Sequence, residues 1–273
     1  MHFDILGPMA DSQREPASSR PLDDPLEEAL RLIGLADDRG LCIRLLGGLA
    51  IRARAQPLGG RNARSESQRQ DIDLATVGGH ARAAAALLAG SGYEADTHYN
   101  ALYGHKQLYF VDPIHDRPVD IVIDVLEMCH RLDFRDRLAL DHPTLPLADL
   151  LLSKLQVVQF TTKDGLDALT LLAHFPLADT DAAGVNVARI LHLTSTDWGW
   201  WRTVTANLAN IGTIAASRST PDAISRAEPF DAATQVAALL EAIEQAPKSP
   251  RWRLRSRIGD RVRWYEEPEE TTH

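Results

Sequence analysis

The chain has 273 residues, 44% of them hydrophobic and 25% charged, with a formal net charge of −9. That size and composition suit one large or two modest domains with a substantial core, and the acidic balance argues against a general nucleic-acid coating protein. No apolar run is long enough for a membrane-spanning helix, no basic-then-apolar leader opens the chain, and the two cysteines, Cys42 and Cys129, fall outside any CxxC spacing, so the expectation is a cytoplasmic protein with no zinc site and no membrane association.

Residues 8–25 are rich in Pro, Ser, Asp and Arg and predict a flexible lead-in over 1–25, closed by Pro21 and Pro25. Helical spacing of apolar residues begins at Leu26 and runs to Ala36. Leu41–Leu46 is a short apolar strand, Gly47-Gly48 a turn, and Leu49–Ala55 the start of a helix. Residues 56–70 are polar, contain Gly59-Gly60, and read as a loop. Asp71–Thr76 is the next strand. Ala81–Leu88 is an alanine-rich helix stopped by Gly90 and Gly92. Short strands follow near Tyr93–Ala95 and Gln107–Val111. The β-branched run Pro118–Val125 is the best candidate for a central strand.

After Asp141, His142, Pro143 and Pro146 the pattern changes. Leu147–Phe160, Lys163–His174, Val185–Leu193, Trp198–Ile211 and Ala232–Gln245 all show helical periodicity. Near the C-terminus Arg251, Arg253, Arg255, Arg257, Arg261 and Arg263 alternate with Trp252, Leu254, Ile258, Val262 and Trp264. This spacing predicts a short basic β-hairpin turning at Gly259-Asp260. The fold class is therefore α+β: a mixed sheet flanked by helices over 26–142, a helical region over 143–246, and a basic, aromatic hairpin with an acidic tail over 247–273.

The chemistry concentrates in Asp71-Ile72-Asp73. Alternation puts both carboxylates on one face of a strand, about 7 Å apart. Such crowding of like charge is costly unless a cation binds there. Val119-Asp120-Ile121-Val122-Ile123-Asp124 sets two more carboxylates on one face of an apolar strand. Asp120 is favoured as a third ligand, with Asp124 as the alternative that caps locally. Three carboxylates on adjacent strands could hold two Mg²⁺ ions about 4 Å apart. Gly47-Gly48 at a strand-to-helix turn lets backbone approach a phosphate. The loop before the DxD carries Arg61, Arg64 and Arg69, of which Arg69 is the best placed to touch phosphate.

These segments together resemble the nucleotidyltransferase superfamily of the polymerase-beta type: Leu46-Gly47-Gly48-Leu49, then Arg69-Gln70-Asp71-Ile72-Asp73, then Val119-Asp120-Ile121. Leu147-Ala148-Asp149-Leu150-Leu151-Leu152-Ser153-Lys154-Leu155-Gln156, followed by Lys163-Asp164-Gly165-Leu166-Asp167, is similar to the AbiEii-like branch, which includes toxins of type IV toxin–antitoxin systems. The resemblance covers roughly residues 40–175. It implies that Asp71, Asp73 and Asp120 hold Mg²⁺ (or Mn²⁺). Gly47, Gly48 and Arg69 would border a nucleoside triphosphate, and Lys154 would contact its phosphates. Asp167, with Asp164 as the alternative, would be a later essential acid. The implied activity is transfer of NMP from an NTP to an acceptor hydroxyl, with a tRNA 3′ end as first choice and a cognate antitoxin as a partner. The chain departs from the common Gly-Ser pattern, since Leu49 follows Gly-Gly. Two other readings use the same residues: a CCA-adding-like enzyme, and a non-catalytic binding module or antitoxin on the same fold. Trp198, Trp200 and Trp201 read as helix packing, with base stacking as the lesser alternative.

Overall fold

A computed structural model describes residues 20–56, 71–216 and 229–267. The fold is mixed α+β. In chain order the elements are α1 (Pro25–Asp37), β1 (Ile43–Leu46), α2 (Gly47–Ala55), β2 (Ile72–Thr76), α3 (Ala81–Gly90), β3 (Glu94–Ala95), α4 (Thr97–Tyr103), β4 (Gln107–Asp112), β5 (Arg117–Ile123), β6 (Val125–Glu127) and β7 (Arg131–Asp133). Then come α5 (Leu147–Leu155), α6 (Thr162–His174), β8 (Leu177–Ala178), β9 (Val185–Asn186), α7 (Val187–Thr196), α8 (Trp198–Ala216), α9 (Ala232–Gln245) and α10 (Pro250–Ser256).

Local chemistry sets several of these boundaries. Asp24 accepts from the backbone N–H groups of Leu26 and Glu27, and Pro25 opens α1. Thr161 and Asp164 form a reciprocal capping box at the start of α6. α5 stops at Leu155, earlier than the periodicity up to Phe160 predicts. Asn207 Nδ2, reaching across from α8, donates to the carbonyls of Leu155 at 2.9 Å and Val157 at 2.8 Å. It thus satisfies acceptors that a longer helix would have used internally.

The five-stranded sheet has the order β1-β2-β5-β4-β3. β2 and β5 are parallel, and the other three pairings are antiparallel. β5 is central, as its β-branched composition predicts. One hydrophobic core runs from the sheet into the helices that follow, with Leu45, Ile72, Phe110 and Ile121 in the same cluster as Leu150, Leu169, Leu208 and Leu239. Of the lead-in, residues 20–24 are described. Arg117 donates to the carbonyls of Leu22 at 2.7 Å and Asp23 at 3.1 Å, which pins this stretch to β5.

The predicted C-terminal hairpin is not formed. Residues 250–256 are α10, and Gly259–Arg261 is a single 3-10 turn. Ser249 accepts from the Trp252 N–H and Pro250 fills the first helical position, a start signal that outweighs alternation in a run of good helix formers.

Candidate active site

The sheet aligns the first group of side chains. Asp73 of β2 stands beside Asp120 of β5, and Tyr109 of β4 lies opposite Asp120 on its other side. Laterally paired residues share a face, so these three make a polar row on one face of the sheet. Their chain neighbours Ile72, Leu74, Val119 and Ile121 point to the other face, where they are buried. Two carboxylates side by side are costly unless charge or hydrogen bonding compensates them. Gln107, two residues before Tyr109 and so on the same face, donates Nε2 to Asp120 Oδ1 at 2.5 Å. Burial, together with the charges of Asp120 and Asp71, pushes the Tyr109 hydroxyl up from its ordinary value.

β1 ends at Leu46, directly opposite Asp73. There the chain enters α2 through Gly47 with φ of +72°. A Cβ at this position would stand 1.9 Å from Asp73 Oδ2. Both the dihedral and the close approach therefore demand glycine. The first turn of α2 receives no side-chain cap, and its N–H groups and positive dipole end start beside the Asp73 carboxylate.

The second group comes from α5 and α6. Lys154 Nζ lies 2.9 Å from Asp167 Oδ2 and 4.0 Å from Asp164 Oδ1. Only 14% of the lysine side chain is exposed, and Asp167 is fully buried. Lys154 is thus held by a carboxylate and does not extend along the surface into bulk water. The two acids sort by geometry. Asp164 accepts from Thr161 Oγ1 at 2.6 Å and caps α6, whereas Asp167 stands behind the lysine.

A cavity of about 470 Å³ joins the two groups, with Gly47, Asp73, Asp120, Lys154 and Asp164 in its wall. Asp71 is exposed, one residue before β2, and does not line it, although its charge reaches Tyr109. Gly48 is the second residue of α2 and also lies outside the lining. Asp124 sits apart, with φ of +62° and its Oδ1 accepting from the Gly78 N–H at 2.9 Å, which is the local capping role. Arg69, Arg61 and Arg64 lie outside the described residues.

The wall also contains residues that the pattern did not single out: Tyr99 and Tyr103 of α4, Lys106 and Gln107 at the start of β4, and Glu127. Lys106 is 2.7 Å from Glu127 and holds that carboxyl below its usual range. α4 has seven residues and begins Thr-His-Tyr-Asn. Nothing so short and polar carries a helical period, so its two tyrosines gave no signal.

Among the described residues, no three His, Cys, Asp or Glu side chains gather into a metal-binding group. Mg²⁺ asks less of a protein: one or two carboxylates usually suffice, with phosphate oxygens and water completing six. Asp73 and Asp120 fit that demand. Their donors are hard oxygens on strands about 4.8 Å apart, and the missing Cβ of Gly47 leaves Asp73 open to close backbone approach. The chain matches no protein-family model, no curated protein and no solved structure.

Proposed function

We propose that the protein is a metal-dependent nucleotidyltransferase that moves NMP from an NTP to an acceptor hydroxyl and releases pyrophosphate. One observation carries this reading: a paired Asp73 and Asp120 share a cavity with a half-buried lysine and with Gly47 at an uncapped helix start. Carboxylates for a cation and cationic groups for phosphate thus meet in one space. On this reading Asp73 and Asp120 hold Mg²⁺, with Asp71, two residues before Asp73, as a further carboxylate. The ion, when bound, neutralises charge on the transferred phosphoryl group and lowers the pKa of the attacking hydroxyl.

The remaining work falls to the chain. Lys154 supplies a point positive charge for the triphosphate, and Asp167 holds its amine in place. The first-turn N–H groups of α2 offer donors to a phosphate oxygen. The acceptor oxygen forms a bond to the α-phosphorus as the bond to pyrophosphate breaks, and the hydroxyl proton leaves to a nearby carboxylate or water. Asp167 is committed to Lys154, which makes it a positioning residue. A tRNA 3′ end remains the first acceptor to test.

The assay is incubation with labelled NTPs, total tRNA and Mg²⁺. Transfer should appear, vanish with chelator, and vanish in Asp73→Asn and Lys154→Ala. Label that persists in either variant sinks the assignment. The Gln107 bond to Asp120 favours a second reading, a non-catalytic module whose carboxylate is already satisfied. Calorimetry separates the two, since such a module shows no Mg²⁺-dependent NTP binding.

A further inference from the structure

All five tryptophans of the chain collect at one place. Trp198, Trp200 and Trp201 open α8, Trp252 belongs to α10, and Trp264 lies on the segment after it. Trp198 meets Trp264 edge-on at 6.0 Å, and Trp201 meets Trp252 edge-on at 5.3 Å. Arg202 lies over the Trp264 ring at 5.4 Å and Lys248 over the Trp252 ring at 5.8 Å, so one face of each of these rings already carries a cation. Trp252 and Trp264 are only half-buried. Between them lies a cavity of about 680 Å³.

Arg131, Arg251, Arg255 and Arg263 line this cavity, with the two carboxylates Asp197 and Glu266. Arg131 pairs with Glu127 at 2.9 Å and Arg263 with Glu267 at 2.8 Å, which leaves Arg251 and Arg255 as the cations placed to meet a phosphate. Asp197 Oδ1 accepts from the N–H groups of Gly199 at 2.7 Å and Trp200 at 3.1 Å, so this carboxylate is held at the start of α8. Arg255 lies over Trp198 at 4.6 Å and donates to the carbonyls of Gly259 at 2.8 Å and Val262 at 2.6 Å. It is a fixed cation with its charge uncancelled by those neutral partners. Arg251, one helical turn away and on the same side of α10, pairs with no carboxylate among the described residues. Burial pushes the neighbouring His130 down to about 4, so this histidine adds no charge near neutrality.

Neither Arg202 nor Lys248 lines the cavity, and aromatic rings in its wall beside fixed arginines are what an unpaired nucleotide requires: a π-surface for the base and cations for the phosphodiester. A double helix keeps its base faces stacked and cannot use such a cavity. An acidic peptide would use the arginines and leave the ring faces empty. The position adds a second argument, because Glu266 lines this cavity and also the one containing Asp73, Asp120 and Lys154. The two spaces adjoin.

We propose that the tryptophan–arginine cavity binds an unpaired nucleotide of a single-stranded RNA and so presents the end of that strand to the neighbouring site. The base stacks on Trp252 or Trp264 and the phosphate lies on Arg251 and Arg255. Binding stands on this cavity alone, while presentation for reaction rests on the nucleotidyl-transfer reading above.

The test separates those two parts. Because four of the five tryptophans line the cavity and Trp201 packs against Trp252, intrinsic fluorescence reports on the cavity directly. A ten-nucleotide single-stranded RNA, titrated with chelator present and no NTP, should quench it. A DNA strand of the same sequence shows whether the sugar matters, and duplex RNA should bind at least tenfold more weakly. Arg251→Glu, an exposed change on α10, should weaken single-strand binding at least tenfold with an unchanged circular dichroism spectrum. Trp252→Leu should do the same, and Asp73→Asn should bind like the parent. Equal binding of duplex, or parent-like affinity in both Arg251→Glu and Trp252→Leu, overturns the proposal. If no acceptor is ever labelled yet the quench and its variant pattern hold, the nucleotidyl-transfer reading fails and the binding site stands. If transfer to RNA occurs and Arg251→Glu leaves the acceptor KM unchanged, presentation fails.

Discussion

At the scale of single residues the candidate site depends on two contacts, each of which can be broken separately. Gly47 combines a φ of +72° with a would-be Cβ 1.9 Å from Asp73 Oδ2. Gly47→Ala must therefore strain the backbone and push the carboxylate aside. Left-handed strain alone costs about 1–3 kcal/mol, so the variant should unfold at lower urea and lose Mg²⁺-dependent NTP binding in calorimetry. A variant that keeps both removes Gly47 from the site. Lys154 and Asp167 behave differently, because a buried ion pair is expensive to break and cheap to replace. Asp167→Ala should cost about 3–5 kcal/mol in urea unfolding, since it strands a buried ammonium. Lys154→Met with Asp167→Leu should recover most of that stability and none of the transfer activity. Recovery of activity in the double variant would show that the pair serves the fold only.

At the scale of elements, what could be read from the sequence followed the range of the interactions. β1, β2 and β5 declare themselves through apolar runs, and Asp73 and Asp120 stand out because charge inside such runs is costly. Their pairing is a matter of register between strands far apart in the chain, and only the sheet order supplies it. α4 and the α10 helix were missed for opposite reasons. α4 is too short to carry a period, whereas 250–256 carries both a period of two and a capping signal, and the cap prevails. Asp149 is the clearest long-range case. It lies in the first turn of the lysine helix, fully buried, and its partners are 12 and 40 residues away: Arg137 at 2.7 Å and Arg189 at 3.0 Å. Arg189 also donates to the Asp133 carbonyl at 3.0 Å, so one carboxylate ties α5 to β7 and α7. Asp149→Ala would leave the Arg189 guanidinium without its carboxylate at that junction, while Arg137 keeps Asp181 alone. The expected loss is about 3–5 kcal/mol, read as a lower urea midpoint at unchanged slope, and a change under 1 kcal/mol would reduce the network to surface decoration.

At the scale of the whole molecule, His130 links the elements around the second cavity and gives stability a pH dependence of known sign. It stacks on Trp200 at 4.9 Å and shares Thr203 Oγ1 with the Trp264 indole N–H, at 2.8 Å and 3.1 Å. Burial lowers it from 6.5 to about 4 in the folded chain, with the charge of Asp197 opposing. Below 6.5 the unfolded chain therefore takes up a proton that the folded chain refuses. Its contribution is complete above the unfolded value and is lost as pH falls toward 4. Between about pH 7 and about pH 5 the loss from this one group is roughly 2 kcal/mol. The carboxylates held low by their partners, such as Asp112 and Glu127, act below their ordinary values of 3.8 and 4.5, so the histidine's window can be read apart from theirs. His130→Phe keeps an aromatic ring on Trp200 and removes the titrating group. Urea unfolding of the parent should weaken across that interval while the variant stays nearly flat. An equal slope in both would mean that the proton enters elsewhere and that the junction of α8 with the tail tolerates a charged imidazole.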